Sequence, residues 1–115
     1  MPKEILESHL NLRKEGRVDE DCALNYSEGC VFLTSFGEFH GHDGLRFLVS
    51  MLDKEIPGIK FTYKNILINR KLGFLEWTGE SNELYIEDGA DSYLIENGKI
   101  TEQTIHYTIK KFPKF

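Results

Sequence analysis

The sequence predicts a single α+β domain, with helices toward the N-terminal end and a sheet built from the rest of the chain. Three observations predict it. The 115 residues leave room for one domain and no more. Helical apolar spacing stops at Pro57-Gly58, and strand-like runs occupy everything beyond. Two of those runs are joined at Asn97-Gly98, a dipeptide favoured in tight hairpins. This order argues against a parallel βαβ arrangement.

Taken in order, residues 3–15 read as a helix, with Ile5, Leu6, His9, Leu10 and Leu12 on or near one stripe. Gly16 ends it, as a glycine just past the last turn commonly does. Residues 18–26 form a second, short helix with acids at its start, where the helix dipole favours negative charge. Residues 30–33 are short, apolar and β-prone, a first strand. Residues 37–44 read as a loop. Leu45, Leu48, Val49 and Leu52 then make residues 43–53 an amphipathic helix. Residues 60–69 and 72–80 form one hairpin, and 84–95 and 99–110 another. In the last strand Gln103, Ile105, Tyr107 and Ile109 lie on one side, and Glu102, Thr104, His106 and Thr108 on the other.

Charge and composition exclude several function classes. The net charge is -5 and the only basic cluster is Lys110, Lys111 and Lys114, which argues against nucleic acid as a partner. No polybasic anchor is present, and no apolar run approaches the roughly 20 residues that span a bilayer. The first residues are too polar for a signal peptide, so a cytoplasmic protein with reduced thiols at Cys22 and Cys30 is expected. The serines lack a nucleophile elbow, and the glycines match neither a phosphate loop nor a dinucleotide fingerprint, so no cofactor is expected. His40 and His42 suggest a metal pair, but a catalytic zinc site needs three protein ligands and no third stands in register. A metal is therefore not expected.

Three stretches together resemble the nuclear transport factor 2-like superfamily, especially its SnoaL-like, ketosteroid isomerase-like members. Residues 12–31 run from a helix through Gly16 and an acidic helix into a strand. Residues 37–48 (Gly-Glu-Phe-His-Gly-His-Asp-Gly-Leu-Arg-Phe-Leu) look like the family's glycine-marked loop leading into its third helix. Residues 88–100 are similar to its penultimate strand and Gly-Lys-Ile turn. The resemblance covers nearly the whole chain. It implies a curved mixed or antiparallel sheet forming a cone, with three helices packed on its concave face and a pocket closed by the first and third. It also implies a homodimer. It does not fix the activity, because this fold hosts isomerases, dehydratases, epoxide hydrolases, cyclases and non-catalytic proteins.

By the same resemblance, His9, seven residues before Gly16, is the pocket-facing polar group of the first helix. Asp91 takes the strand position of a carboxylic acid that hydrogen-bonds a developing oxyanion. Burial would raise the pKa of Asp91 and keep it protonated at neutral pH. The bland alternatives are a histidine at the edge of its stripe and a carboxylate at the rim or capping a bulge near Gly89. The family's other catalytic positions are altered. Thr34 stands where isomerase-like members carry the general base, Ile105 where cyclases carry a last-strand carboxylate, and Trp77 and Gly79 where hydrolases carry Arg and Asp. Glu38, His40, His42 and Asp43 are the alternative source of a base, in a loop expected near the pocket mouth.

A largely apolar pocket lined by Thr34, Phe47, Trp77, Tyr93, Gln103, Ile105 and Tyr107 is therefore expected. It would hold a hydrophobic small molecule in roughly a few hundred cubic ångströms. Three readings are open. The chain binds a small molecule. Alternatively, it is an isomerase, cyclase or dehydratase acting beside a carbonyl, with His9 and Asp91 as the acid/base pair. The third reading is a non-catalytic interaction or dimerisation module, favoured by a filled cone, whose polar stripe Glu102, Thr104, His106 and Thr108 would suit a wet contact.

Overall fold

The structure, a computed structural model, describes residues 1–113. Its elements run α1 (Pro2–Lys14), α2 (Val18–Asn25), β1 (Tyr26–Thr34), β2 (Gly37–His40), α3 (Gly41–Glu55), β3 (Lys60–Asn69), β4 (Leu72–Glu80), β5 (Leu84–Glu96), β6 (Lys99–His106) and β7 (Lys110–Lys111). The two hairpin strands β3 and β4 have the bounds expected from the sequence.

α1 buries Leu6, His9, Leu10 and Leu12. It ends on Gly16 at φ 72, where the Gly16 N–H reaches the Arg13 carbonyl at 3.2 Å and the Arg17 N–H the Leu12 carbonyl at 3.0 Å. That pair of bonds satisfies two carbonyls at the helix end and reverses the chain. α2 then returns across α1 with Asp21, Cys22 and Asn25 buried.

The loop expected over residues 37–44 is instead a strand and the first turn of α3. β2 pairs antiparallel with β1 from Val31↔His40 to Thr34↔Gly37. The tight connection is held by Thr34, whose Oγ1 accepts the Phe36 N–H at 2.9 Å and donates to the Gly37 carbonyl at 3.0 Å. Gly37 (φ 125) and Gly41 (φ 69) take the left-handed backbone that the turn and the entry to α3 need. The expected last strand also divides, into β6 and the short β7 that pairs with β5.

The sheet has seven strands in the order β2-β1-β6-β5-β4-β3, with β7 on β5. The β1–β6 pairing is parallel and the others are antiparallel, so the sheet is mixed and unclosed. Register shifts at Tyr63/Asn65, Trp77/Gly79 and Leu94/Ile95 bend it, because an extra residue on one strand increases local twist. The helices cover the concave face, and the core between them includes Leu6, Tyr26, Phe32, Ile56 and Ile100, all at most 1% exposed. Cys22 and Cys30 are buried free thiols, and burial raises the pKa of both. Near the C-terminus Phe112 stacks on Tyr85 with ring centroids 4.7 Å apart; Phe115, also expected to dock, lies outside the described residues. Among the described residues, no helix is long and apolar enough to cross a membrane.

Candidate functional site

Strand register gathers the polar groups. Asp91 is paired with Leu75 on one side and Ile105 on the other, and Tyr93 with Gly73 and Gln103. Directly paired residues share a face, so Leu75, Asp91, Tyr93, Gln103 and Ile105 all point to the concave side. Trp77 lies opposite Gly89, and a Cβ there would stand 2.3 and 2.4 Å from two indole carbons. Only a glycine lets the indole fold down onto the neighbouring strand.

These side chains and the helices enclose a cavity of about 80 Å³. This is smaller than the few hundred cubic ångströms expected; the long aromatic and leucine side chains fill much of the cone. Thr34, Trp77, Asp91, Tyr93, Gln103, Ile105 and Tyr107 line it from the sheet side. His9, Leu10 and Arg13 line it from α1, and Leu45, Leu48, Val49 and Leu52 from α3. The mostly apolar wall meets a buried polar floor.

That floor is one connected network. His9, 4% exposed, places Nδ1 2.7 Å from Asp21 Oδ2. Asp21 Oδ1 accepts from Asn25 Nδ2 at 2.9 Å, and the same amide donates to Ser8 Oγ at 3.0 Å. The other His9 nitrogen, Nε2, lies 3.3 Å from the Tyr93 hydroxyl, which is also 3.3 Å from Asp91 Oδ2. Asp91 accepts from Trp77 Nε1 at 3.0 Å and Gln103 Nε2 at 2.9 Å. The Tyr26 hydroxyl closes the array by donating to Gln103 Oε1.

Burial pushes the Asp91 carboxyl above the ordinary carboxylate range, while the Trp77 and Gln103 hydrogen bonds and nearby His9 oppose that rise. Burial likewise raises Tyr93 and Tyr26 well above a free phenol, so both stay protonated donors. The Tyr93 hydroxyl has one proton and two acceptors at equal distance. It thereby joins His9 to Asp91 in one array, with Asp21 on the other imidazole nitrogen.

Several expected placements differ. Phe47 does not line the cavity: it is 55% exposed. On α3 the inward face is Leu45, Leu48 and Leu52, and Phe47 falls off that stripe to stack on Phe39 at 5.4 Å. The group Glu38, His40, His42 and Asp43 also lies away from the cavity. His40 bonds Glu38 at 2.7 Å in solvent, His42 Nε2 meets the Tyr26 carbonyl at 3.0 Å, and Asp43 pairs with Arg46. Glu38 and His40 stand on β2, and His42 and Asp43 in the first turn of α3; none of the four lines the cavity. The Thr34 hydroxyl is spent on its own turn. Among the described residues, no three His, Cys, Asp or Glu side chains form a metal-ligating group. Sequence reasoning missed Asp21, Tyr26 and Arg13. A signal for Arg13 was present, since it stands four residues after His9 and hence on the same helix face.

No family model and no curated protein matches the sequence. Solved structures do match. A nuclear transport factor 2-like protein of unknown function from Burkholderia xenovorans LB400 superposes at TM-score 0.76 and 19% identity, over 92% of this chain and 81% of that one. TerC, co-crystallised with polyporic acid, matches at TM-score 0.79 and 11% identity over 93% and 91%. A protein from Kribbella flavida DSM 17836, provisionally described as a ketosteroid isomerase, matches at 0.77 and 12% over 96% and 80%. At these identities the likeness is one of fold, and the fold is the nuclear transport factor 2-like α+β cone.

Proposed function

We propose that this chain binds a small, largely apolar molecule in the cavity of the cone, its specific activity unassigned. The observation that carries the reading is a buried, fully partnered polar floor beneath an apolar wall, the arrangement that orients a small ligand. TerC, of the same fold, was crystallised with polyporic acid, which supports a small-molecule role for such a cone. The cavity has about half the roughly 150 Å³ of an engineered cavity that holds benzene, so it suits a ligand no larger than one ring. The chain has one tryptophan, Trp77, and it lines the cavity. A panel of compact hydrophobic carbonyl compounds titrated against its fluorescence tests the reading. Saturable change supports it, and no response across the panel sends the search to a protein partner.

The His9–Tyr93–Asp91 array favours a second reading, catalysis beside a carbonyl. A protonated Asp91 would hydrogen-bond the carbonyl oxygen as charge develops, and His9 would take or return the proton on carbon. Asp91→Asn should then keep fold and binding while lowering the rate on a confirmed substrate by roughly 10²-fold or more; an unchanged rate removes Asp91 from the mechanism. A cytoplasmic homodimer completes the proposal. The exposed polar stripe Glu102, Thr104, His106 and Thr108 offers it a wet contact, and sedimentation equilibrium measures it.

A further inference from the structure

Among the described residues, Arg13 is the one lysine or arginine in the cavity wall. Its guanidinium lies over the Phe61 ring, 4.8 Å from the centroid, and its side chain is only 16% exposed. Nη2 is buried and makes no hydrogen bond among the described residues, the single buried side-chain nitrogen or oxygen there in that condition. Its nearest opposite charge is Asp53 Oδ1 at 3.5 Å, on a side chain that is 55% exposed. That is an ion-pair separation and too long for a hydrogen bond.

A buried donor without an acceptor costs free energy, so such groups ask for an explanation. The Phe61 ring gives the guanidinium a cation–π contact but no hydrogen-bond acceptor. The charge also reaches across the cavity. Burial raises the Tyr107 hydroxyl to about 12, with Glu55 and Asp91 adding to the rise and Arg13 pulling it back. A guanidinium fork matches the oxygens of a carboxylate or a phosphate. Charge favours the carboxylate here, because a phosphate would ask one cation to balance close to two charges, with Asp91 in the same wall.

Accepting that this cavity is a small-molecule site, we propose that its ligand is an apolar carboxylic acid. The carboxylate would sit on the guanidinium N–H groups of Arg13 that border the cavity beside Phe61, not on the enclosed Nη2, and the apolar body would extend over Trp77 toward the polar floor. Asp53 holds the guanidinium loosely until the ligand arrives.

Matched acid and amide pairs test this, namely benzoate and benzamide, phenylacetate and phenylacetamide, cinnamate and cinnamamide. Each is titrated at pH 7 against Trp77 fluorescence. The wild-type protein should prefer the acid of at least one pair by on the order of tenfold. Arg13→Met retains an aliphatic stem over Phe61 and should bring the affinity for the acid down to that for its amide partner. Arg13→Lys should recover part of it, because the charge remains and the fork does not. Asp53→Asn removes the competing carboxylate and should tighten acid binding by roughly two- to fivefold. That variant keeps the test open if Arg13→Met fails to fold. Equal affinity for acid and amide in every pair overturns the carboxylate assignment and leaves small-molecule binding standing. An acid preference that survives Arg13→Met overturns Arg13 as its seat. If no member of any pair perturbs Trp77, the small-molecule reading falls, and this assignment with it.

Discussion

His9 and His40 each hold a ring nitrogen 2.7 Å from a carboxylate oxygen, the first on Asp21 and the second on Glu38. The contacts are equal in length and opposite in setting. The side chains of the His9 pair are 5% and 2% exposed, and those of the His40 pair 62% and 61%. In water the His40 pair competes with solvent and is worth little. Removing one partner of the buried pair leaves the other stranded where no water replaces it. The distance alone thus says nothing about importance. Burial decides it, together with what else each group touches: Asp21 also accepts from Asn25, and His9 also meets Tyr93.

The largest effect should come from breaking the buried member. Asp21→Ala is expected to cost about 3 kcal/mol or more in urea unfolding, because it strands both His9 and the Asn25 amide. Glu38→Ala, its solvent counterpart, should stay within about 0.5 kcal/mol. Equal costs would refute the comparison.

Next comes the floor's support. Gly89→Ala would push the indole off its strand and should cost about 2 kcal/mol. It should also red-shift Trp77 emission as the Trp77–Asp91 hydrogen bond opens. An unchanged spectrum would mean that the indole is not held by that close approach.

The smallest effect sharpens the comparison through pH. The folded-state pKa of Asp91 is raised, chiefly by burial, so the folded protein holds this proton more tightly than the unfolded chain. Its contribution to stability is fully present below the unfolded value of about 4. It is lost as pH rises through the raised folded value. The Tm of Asp91→Asn should therefore fall less than that of wild type over that rise. Parallel curves for the two proteins would show that Asp91 is ionised as readily in the fold as outside it.

Much of the fold was legible because local rules govern it. The bounds expected for the hairpin 60–69 and 72–80 match β3 and β4, and Asn97-Gly98 adopts positive φ at both positions (53 and 76) as a tight hairpin turn requires. β2 escaped notice because four residues, three of them polar or glycine, carry no readable period. Phe47 was assigned inward on hydrophobicity alone, when its angular position on α3 argued otherwise.

The candidate site divides along the same line. His9 and Asp91 could be singled out because each breaks an otherwise apolar pattern, and a polar residue in an apolar stripe is informative by itself. Asp21 could not, because an acid in the first turn of a helix already has a sufficient local reason to be there. Its contact with His9 exists only because the Gly16 turn lays α2 across α1. The Tyr26 hydroxyl reaches Gln103 across 77 residues of chain, and Arg13 on α1 meets Asp53 on α3 and Phe61 on β3. By itself, then, the sequence determined most of the elements, the fold class and the two unusual polar residues, since periodicity and turn chemistry act over a few neighbours. The tertiary structure alone decided which polar groups join one buried network and which carboxylate meets His9 there, since burial and pairing are set by residues far apart along the chain.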